Sequence, residues 1–413
     1  MNNWLETTLG KVAQVSTGYP FKSEFYSYDN QDIRLLRGDN ISQGSMNWDD
    51  AKTWPITQSE DFKEYQLEEE DVVLAMDRPW IGAGLKYSKI HKIDLPALLV
   101  QRTARLRGSD KLDSGYLKYV IGSPWFSSYI KRITTGSLVP HISLKQIREF
   151  PLSLPPVDEQ KKVAKVLGTI EEKIELNNRI NAKLEAMAKT LYDYWFVQFD
   201  FQDVNGKPYK TSGGKMVYNP TLKREIPEEW NDKTLSQIAN ITMGQSPEGS
   251  SYNEEGVGTI FYQGSTDFGW LFPLTRQYTT APSRMAKKGD ILLSVRAPVG
   301  DMNIANTDCC IGRGLAALNS KTGSDGFLFY VMKYFKQIFD RRNSEGTTFG
   351  SITKNDLHSL TLAYPTADLL KKYDDVVTNY NKMIFERSLE NRELISLRDW
   401  LLPMLMNGQV TVT

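Results

Sequence analysis

Three stretches of the chain carry residue types suited to gripping a polyanion. In Gln101-Arg-Thr-Ala-Arg-Leu-Arg107, strand alternation would set Gln101, Thr103 and Arg105 on one face and Arg102, Ala104 and Leu106 on the other. An arginine fork grips phosphate or reads guanine with two parallel hydrogen bonds. Thr134-Thr-Gly-Ser-Leu-Val-Pro-His-Ile-Ser143 aligns, 210 residues on, with Ser344-Glu-Gly-Thr-Thr-Phe-Gly-Ser-Ile-Thr353. Small hydroxyl-bearing loops expose backbone N–H groups to phosphate, although a plain surface turn before a strand reads equally well. The rings of Tyr192, Tyr194, Trp195, Phe196, Phe199 and Phe201 are suited to stacking on bases, yet their place at a helix end favours a packing plug.

Catalytic chemistry finds few groups. His91, His141 and His358 are the only histidines, none spaced with another ligand as in a metal site. Gly10-Lys11, Gly206-Lys207 and Gly214-Lys215 lack the flanking residues of a phosphate-binding loop, and Gly82-Ala-Gly84 and Gly312-Arg-Gly314 lack a third glycine. Glu171-Glu-Lys173 reads as a solvated helix face. Catalytic residues and metal ligands are therefore not expected. The adjacent Cys309 and Cys310 build no disulfide framework and fit a reducing cytosol. No run of about 18 apolar residues predicts a membrane span, so a cytoplasmic protein with no membrane partner is expected.

These stretches are organised around a helix that occurs twice. Val163, Leu167, Ile170, Ile174, Asn177, Asn181, Leu184, Ala188, Leu191 and Trp195 follow each other by alternate steps of four and three, the spacing of a coiled-coil seam. The positions 210 residues later are Tyr373, Val377, Tyr380, Ile384, Arg387, Asn391, Leu394, Arg398, Leu401 and Leu405. Antiparallel pairing within one chain is favoured over helix dimerisation between chains, because one covalent chain gives the partner helix a high effective concentration. The polar positions Asn177, Asn181, Arg387 and Asn391 either fix its alignment or face solvent where the pair splays. Each helix, at about 1.5 Å per residue, is a rod of roughly 60 Å.

The repeat extends beyond the helix. Thr8, Leu9, Val12, Ala13, Val15 and Gly18 recur 226 residues later as Thr234, Leu235, Ile238, Ala239, Ile241 and Gly244; Leu36 recurs as Tyr262 and Gly38 as Gly264. Asp71-Val-Val-Leu echoes Asp290-Ile-Leu-Leu at 219, and Arg102 echoes Arg313 at 211. Loop insertions and deletions produce such drift between duplicated domains. Short apolar runs (Asp71-Val-Val-Leu-Ala-Met, Ile291-Leu-Leu-Ser-Val) read as buried strands, and Gly115-Tyr-Leu-Lys-Tyr-Val-Ile and Gly326-Phe-Leu-Phe-Tyr-Val-Met as helices. The fold class is α/β, with two globular domains joined by two long helices in an antiparallel coiled coil. The divisions are 1–155, a helix over 156–200 capped by Asp158, an exposed connector over 201–225, 226–366, and a helix over 367–408 stopped near Gly408. Fifty basic residues balance fifty acidic ones, but Lys86 to Arg148 holds twelve basic against three acidic, and Arg276 to Lys354 twelve against six. Each half has its own basic stretch.

The chain resembles the specificity subunit of type I restriction-modification systems. Trp4 to Gly10, Ser16-Thr-Gly-Tyr-Pro-Phe-Lys-Ser23, Leu154-Pro-Pro-Val-Asp-Glu-Gln-Lys-Lys162, Leu191-Tyr-Asp-Tyr-Trp-Phe196, Asn205-Gly-Lys-Pro and Ile226-Pro-Glu-Glu-Trp230 carry the likeness, the proline junction into the helix most specifically. Leu362-Ala-Tyr-Pro-Thr-Ala-Asp368 departs from that junction in the second copy. The resemblance implies two target recognition domains, each reading half of a split asymmetric site on double-stranded DNA, with the helices setting the gap between the halves. It also implies two adenine-modification subunits using S-adenosylmethionine and motor-nuclease restriction subunits using ATP and Mg²⁺, the cofactors belonging to the partners and none to this chain. Candidate DNA contacts are Lys22, Arg78, Arg102, Arg105, Ser137, Arg296, Arg313 and Thr347. A coiled-coil scaffold without DNA specificity is the competing reading, and a fused enzyme a third, against which stands the lack of an Asn-Pro-Pro-Tyr type motif.

Overall fold

The computed structural model describes residues 4–29, 31–82, 84–134, 140–296, 298–344 and 351–412, the side chains of 338–344 excepted. The chain divides into two compact units, residues 1–174 with 393–413 and residues 175–392. Both mix helix with sheet, and both long helices contribute a part to each unit.

The first unit is built on an antiparallel sheet in the order Gln14–Thr17, Thr103–Arg107, Val72–Ala75, Tyr87–Lys89. Every residue of Val72–Ala75 is buried. Val72 and Leu74 pack with the helices Ser114–Gly122 and Pro124–Thr134, whereas Val73 and Ala75 face a second sheet, as alternation requires of a strand covered on both sides. That second sheet orders Lys52–Trp54, Ile33–Leu36 and Ala97–Leu99, the last two parallel. Leu5–Thr8 pairs with Pro151–Leu154.

The second unit repeats this framework in matching register. Its main sheet orders Ala239–Met243, Leu315–Ser320, Ile291–Ser294 and Met302–Ile304, and Asn231–Thr234 pairs with Thr361–Tyr364. Its other sheet again holds one parallel pair, Thr259–Tyr262 with Cys309–Ile311. Ala104 opposite Leu74 becomes Ala316 opposite Leu293, and Leu36 opposite Leu99 becomes Tyr262 opposite Ile311. The repeated glycine has a steric reason. A Cβ on Gly18 would lie 2.3 Å from the Leu99 oxygen, and one on Gly244 2.2 Å from the Gly312 oxygen.

This register corrects one alignment. The Val100 N–H donates to Leu36 O and the Gly312 N–H to Tyr262 O, so residues 100 and 312 are equivalent. Arg102 therefore corresponds to Gly314, and Arg313 to Gln101; identical residue types had suggested an offset one residue short. Arg102 also lies outside the strand, at φ 66°, so the facing pattern read from Gln101 to Leu106 begins only at Thr103.

The first long helix spans Val157–Tyr192 and ends in a π-helical turn, Asp193–Val197; the second spans Ala367–Met406. Asp158 sits in the first turn and is not the cap. The Pro156 carbonyl receives the Glu159 and Gln160 N–H groups instead. Gln160, fully buried, locks that entrance: its carbonyl accepts the Asp113 N–H at 2.9 Å, and its amide donates to Lys111 O and Pro155 O at 3.0 and 2.8 Å. In the second unit Leu370 stands where Gln160 does, and Asp374 of the helix accepts the Phe327 N–H at 3.0 Å. The two entrances thus use different contacts. Gly408, at φ 72°, ends the last helix.

The seam packs antiparallel. In the first unit Val163 and Leu167 are buried with Leu405, against Leu401, Leu402 and Met406. In the second, Leu184, Ala188 and Tyr192 bury against Tyr373, Val377 and Ile384, and Tyr373 donates its hydroxyl to Ala188 O at 3.1 Å. Ile170 is also buried, and Ile174, Leu191 and Leu394 are half-buried. Asn177 and Asn181 are 1% and 2% exposed, which settles the solvent-facing alternative against itself. Asn177 donates to Asn391 and Glu390, both at 2.8 Å, and Asn391 to Asn178 at 2.9 Å, while Arg387 turns its guanidinium to Met383 O. Such a layer fixes alignment at some cost in stability.

One further expectation changes and one holds. The stretch 201–225 is not a bare connector: Met216–Asn219 and Arg224–Pro227 form a hairpin, and Phe201 stacks between Tyr209 and Trp230 at 4.7 and 5.5 Å. Tyr192, Phe196 and Phe199 are buried against Trp230, Phe327 and Tyr373, so packing accounts for them.

Candidate nucleic-acid interface

In the first unit two candidates, Arg78 and Arg102, lie at the strand-end edge of the main sheet, just beyond its two central strands. Arg78, exposed at φ 44°, donates its N–H to Pro140 O. Arg102 reaches Asp77 at 3.1 Å, and His141 closes on the same carboxylate through Nδ1. The residues Asp77 and His141 also form a backbone bridge. Lys22 lies apart, on an exposed turn, 3.9 Å from Glu24. Arg105 points elsewhere. Its guanidinium donates to Glu64 O and Gln66 O at 3.2 and 3.0 Å, and burial pulls its pKa below the ordinary arginine value. It holds the 56–66 segment. Ser137 lies outside the described residues.

The second unit places Arg296 at the corresponding edge, bridged to Ser351 as Asp77 is to His141. Arg296 lines a small polar recess with Ser265, Thr266, Ser294 and Asp301. Thr347 lies outside the described residues. The hydroxyl-rich stretches run into short helices, not strands: Ser143 caps Leu144–Arg148 and Thr353 caps Lys354–Ser359.

Arg313 stands on a larger open cleft of ≈ 730 Å³, with Gln245, Ser246, Gln263, Arg276 and Gln277 among its walls. Of these only Arg313 was a sequence candidate. The missed signal was positional: Leu36 and Tyr262 align, so the residues after them, Arg37 and Gln263, share a place just past the end of a buried strand. Only the cross-strand pairing brings those places beside residues 101 and 313. Arg276 is immobilised, its Nε 3.0 Å from the buried Asp267, which holds its pKa above the ordinary value. All these groups donate or accept hydrogen bonds; the cleft fits a polar, planar ligand edge.

Among the described residues no helix is long and apolar enough to cross a membrane. The sequence model of the family described as Type I restriction modification DNA specificity domain matches residues 1–186 and 227–384. The specificity subunit assigned to the type I restriction enzyme MjaX of Methanocaldococcus jannaschii is 32% identical over 318 residues, 73% of this chain and 69% of that protein. The type I restriction enzyme EcoAI specificity subunit of Escherichia coli is 35% identical over 192 residues, 45% of this chain and 31% of that one. A crystal structure of the type I restriction-modification system S subunit from M. genitalium shares the fold at a TM-score of 0.64 and 15% identity, covering 98% and 96% of the two chains. Two matches of one family model, falling on two copies of one strand framework, place the chain in the type I restriction modification DNA specificity domain family.

Proposed function

We propose that this chain is the DNA sequence-recognition subunit of a type I restriction-modification complex, each unit reading one half of a bipartite, asymmetric site. The observation that carries this is the duplication: one framework in matching register twice, with different side chains at equivalent surface places. Identical readers would select identical half-sites; these select different ones. The helices act as the spacer and dock the modification subunits. Their continuity through roughly forty residues suits a fixed gap between half-sites. The exposed cations Lys22, Arg78, Arg102 and Arg296 contact backbone phosphate, as do Ser137 and Thr347.

The chain itself is non-catalytic. Two modification subunits supply S-adenosylmethionine-dependent adenine methylation, and restriction subunits supply ATP- and Mg²⁺-dependent translocation and cleavage, in the cytoplasm. The scaffold reading loses ground because the family match covers both units, not the helices alone.

Methylation mapping in the host tests the proposal: a split motif dependent on this chain is expected, and its absence refutes it. Deleting one heptad from each long helix should keep both half-sites and change the gap between them; an unchanged gap refutes the spacer. In a filter-binding assay with the modification subunits, affinity should fall steeply as salt rises.

A further inference from the structure

The motif Gly312-Arg-Gly314 found no phosphate-binding role, but its glycines have a different purpose. A Cβ at residue 312 would sit 2.9 Å from the backbone oxygen of Gln263, and one at residue 314 only 2.8 Å from it. Glycine on both sides lets the segment press against Gln263 and bring Arg313 beside it. Ser246 then ties the two together. Its hydroxyl accepts the Gln263 side-chain amide at 3.0 Å and the Arg313 backbone N–H at 3.3 Å. Gln263 and Arg313 are both exposed on the open cleft, and among the described residues Arg313 makes no ion pair.

A glutamine amide pairs bidentately with adenine N6 and N7 in the major groove, and an arginine fork with guanine O6 and N7. Ser246 holds the Gln263 amide and the backbone at Arg313, so the two groups start side by side and less freedom is lost on binding. We infer that Gln263 and Arg313 are the base-reading pair of the second unit, Gln263 taking an adenine and Arg313 a guanine in neighbouring base pairs of its half-site. Arg276, fixed by Asp267, borders the pair, and Arg296 in the adjoining recess takes the phosphate. This rests on the DNA-recognition reading above and adds the two residues and the two bases.

The test is methylation mapping in the host with the full complex carrying Gln263→Ala, Arg313→Ala or Arg313→Lys. Gln263→Ala should lose the requirement for one adenine and Arg313→Ala that for one guanine, with discrimination against other bases falling roughly ten- to a hundredfold at that position alone, while Arg313→Lys, which keeps a donor for guanine, should lose less than Arg313→Ala. The other half-site stays unchanged. Should a variant methylate too weakly to map, competition binding of its assembled complex against duplexes varied at each position gives the same readout. Weakening that is uniform at an unaltered motif would make both residues phosphate contacts and overturn the inference, as would a shift at the other half-site. A wild-type complex with no split motif at all would instead sink the recognition reading itself.

Discussion

The two units share strand register but differ where the second opens its cleft. Tyr19 and Phe21 of the first unit correspond to Gln245 and Pro247, and Trp54 to Thr279. Where the second unit has an amide, a proline and a hydroxyl, the first packs rings: Tyr19 on Phe62 at 4.9 Å, Phe21 on Trp54 at 4.8 Å, Tyr19 on Tyr65 at 5.4 Å. The inner ties differ as well. Arg107 forks onto the buried Asp71 at 2.7 and 2.9 Å in the first unit, and the equivalent pair in the second is Asn319 donating to Asp290 at 2.9 Å. In both, the same carboxylate caps a turn, accepting from Glu68 N–H or Lys287 N–H. The lesson is that hydrogen-bonded register is what duplication preserved, while charge and ring content were free to diverge. Even the reading places diverged: Arg37 and Gln101 stand where Gln263 and Arg313 do, the same two residue types exchanged.

Several perturbations should separate the units. The largest is a chain stopped after Arg392. It removes Leu401, Leu402 and Leu405 from the core of the first unit, each comparable to a leucine truncation of roughly 2–5 kcal/mol. Hydrogen exchange should show protection lost over residues 1–174 and kept over 175–392; equal loss in both would mean that the units are not separate. Next, Asp71→Asn leaves the Arg107 guanidinium half-paired and should cost about 3 kcal/mol, against about 1 kcal/mol for Asp290→Asn, which breaks a bond to a neutral amide. Denaturant melts of the two variants would read the difference, and equal costs would deny the contrast.

The helix entrances give a smaller, pH-dependent contrast. Gln160→Ala should cost about 2 kcal/mol at any pH, since three hydrogen bonds of a buried neutral amide are lost. Asp374 is different: burial raises its pKa, and that of its neighbour Asp325. A carboxyl raised in the folded state binds more protons there than in the unfolded chain, so its contribution to stability falls as pH climbs from the ordinary carboxylate value through the raised one. Asp374→Asn keeps an acceptor for Phe327 and should flatten that fall; a melt-versus-pH profile unchanged by the substitution would show that the buried carboxyl is not its source. The smallest effect on stability, within about 0.5 kcal/mol, is expected for exchanging the half-buried Arg37→Gln with the exposed Gln101→Arg. Its consequence for specificity should nonetheless be plain in methylation maps, confined to the half-site that the second unit does not read.

How much of this was legible in the sequence follows from what sets each feature. The buried strands Val72–Ala75 and Ile291–Ser294 and the two helices were legible, because apolar runs and 3.5-residue spacing are local signals. Gly408 as a stop was equally local. The direction of Arg105 was not legible, because it depends on carbonyls some forty residues away, at Glu64 and Gln66. The register error at Arg102 has the same root: a matching residue type is a weaker guide than a hydrogen bond to Leu36. The polar cleft was invisible, because its walls come from segments between Gln245 and Arg313 whose approach depends on two glycines and one serine.

One feature of the first unit bears on how the molecule is made. Its core closes on Leu405, some 240 residues after Val163 and Leu167, whereas the second unit is one unbroken stretch, 175–392. Translation delivers a chain from its N-terminus, and domains generally fold as they emerge. Here the order is inverted. The later-synthesised unit is complete first, and the earlier one waits, with Val163 and Leu167 uncovered, until the final helix leaves the ribosome. A nascent chain stalled before residue 393 is therefore the species that exposes an unfinished hydrophobic seam to chaperones.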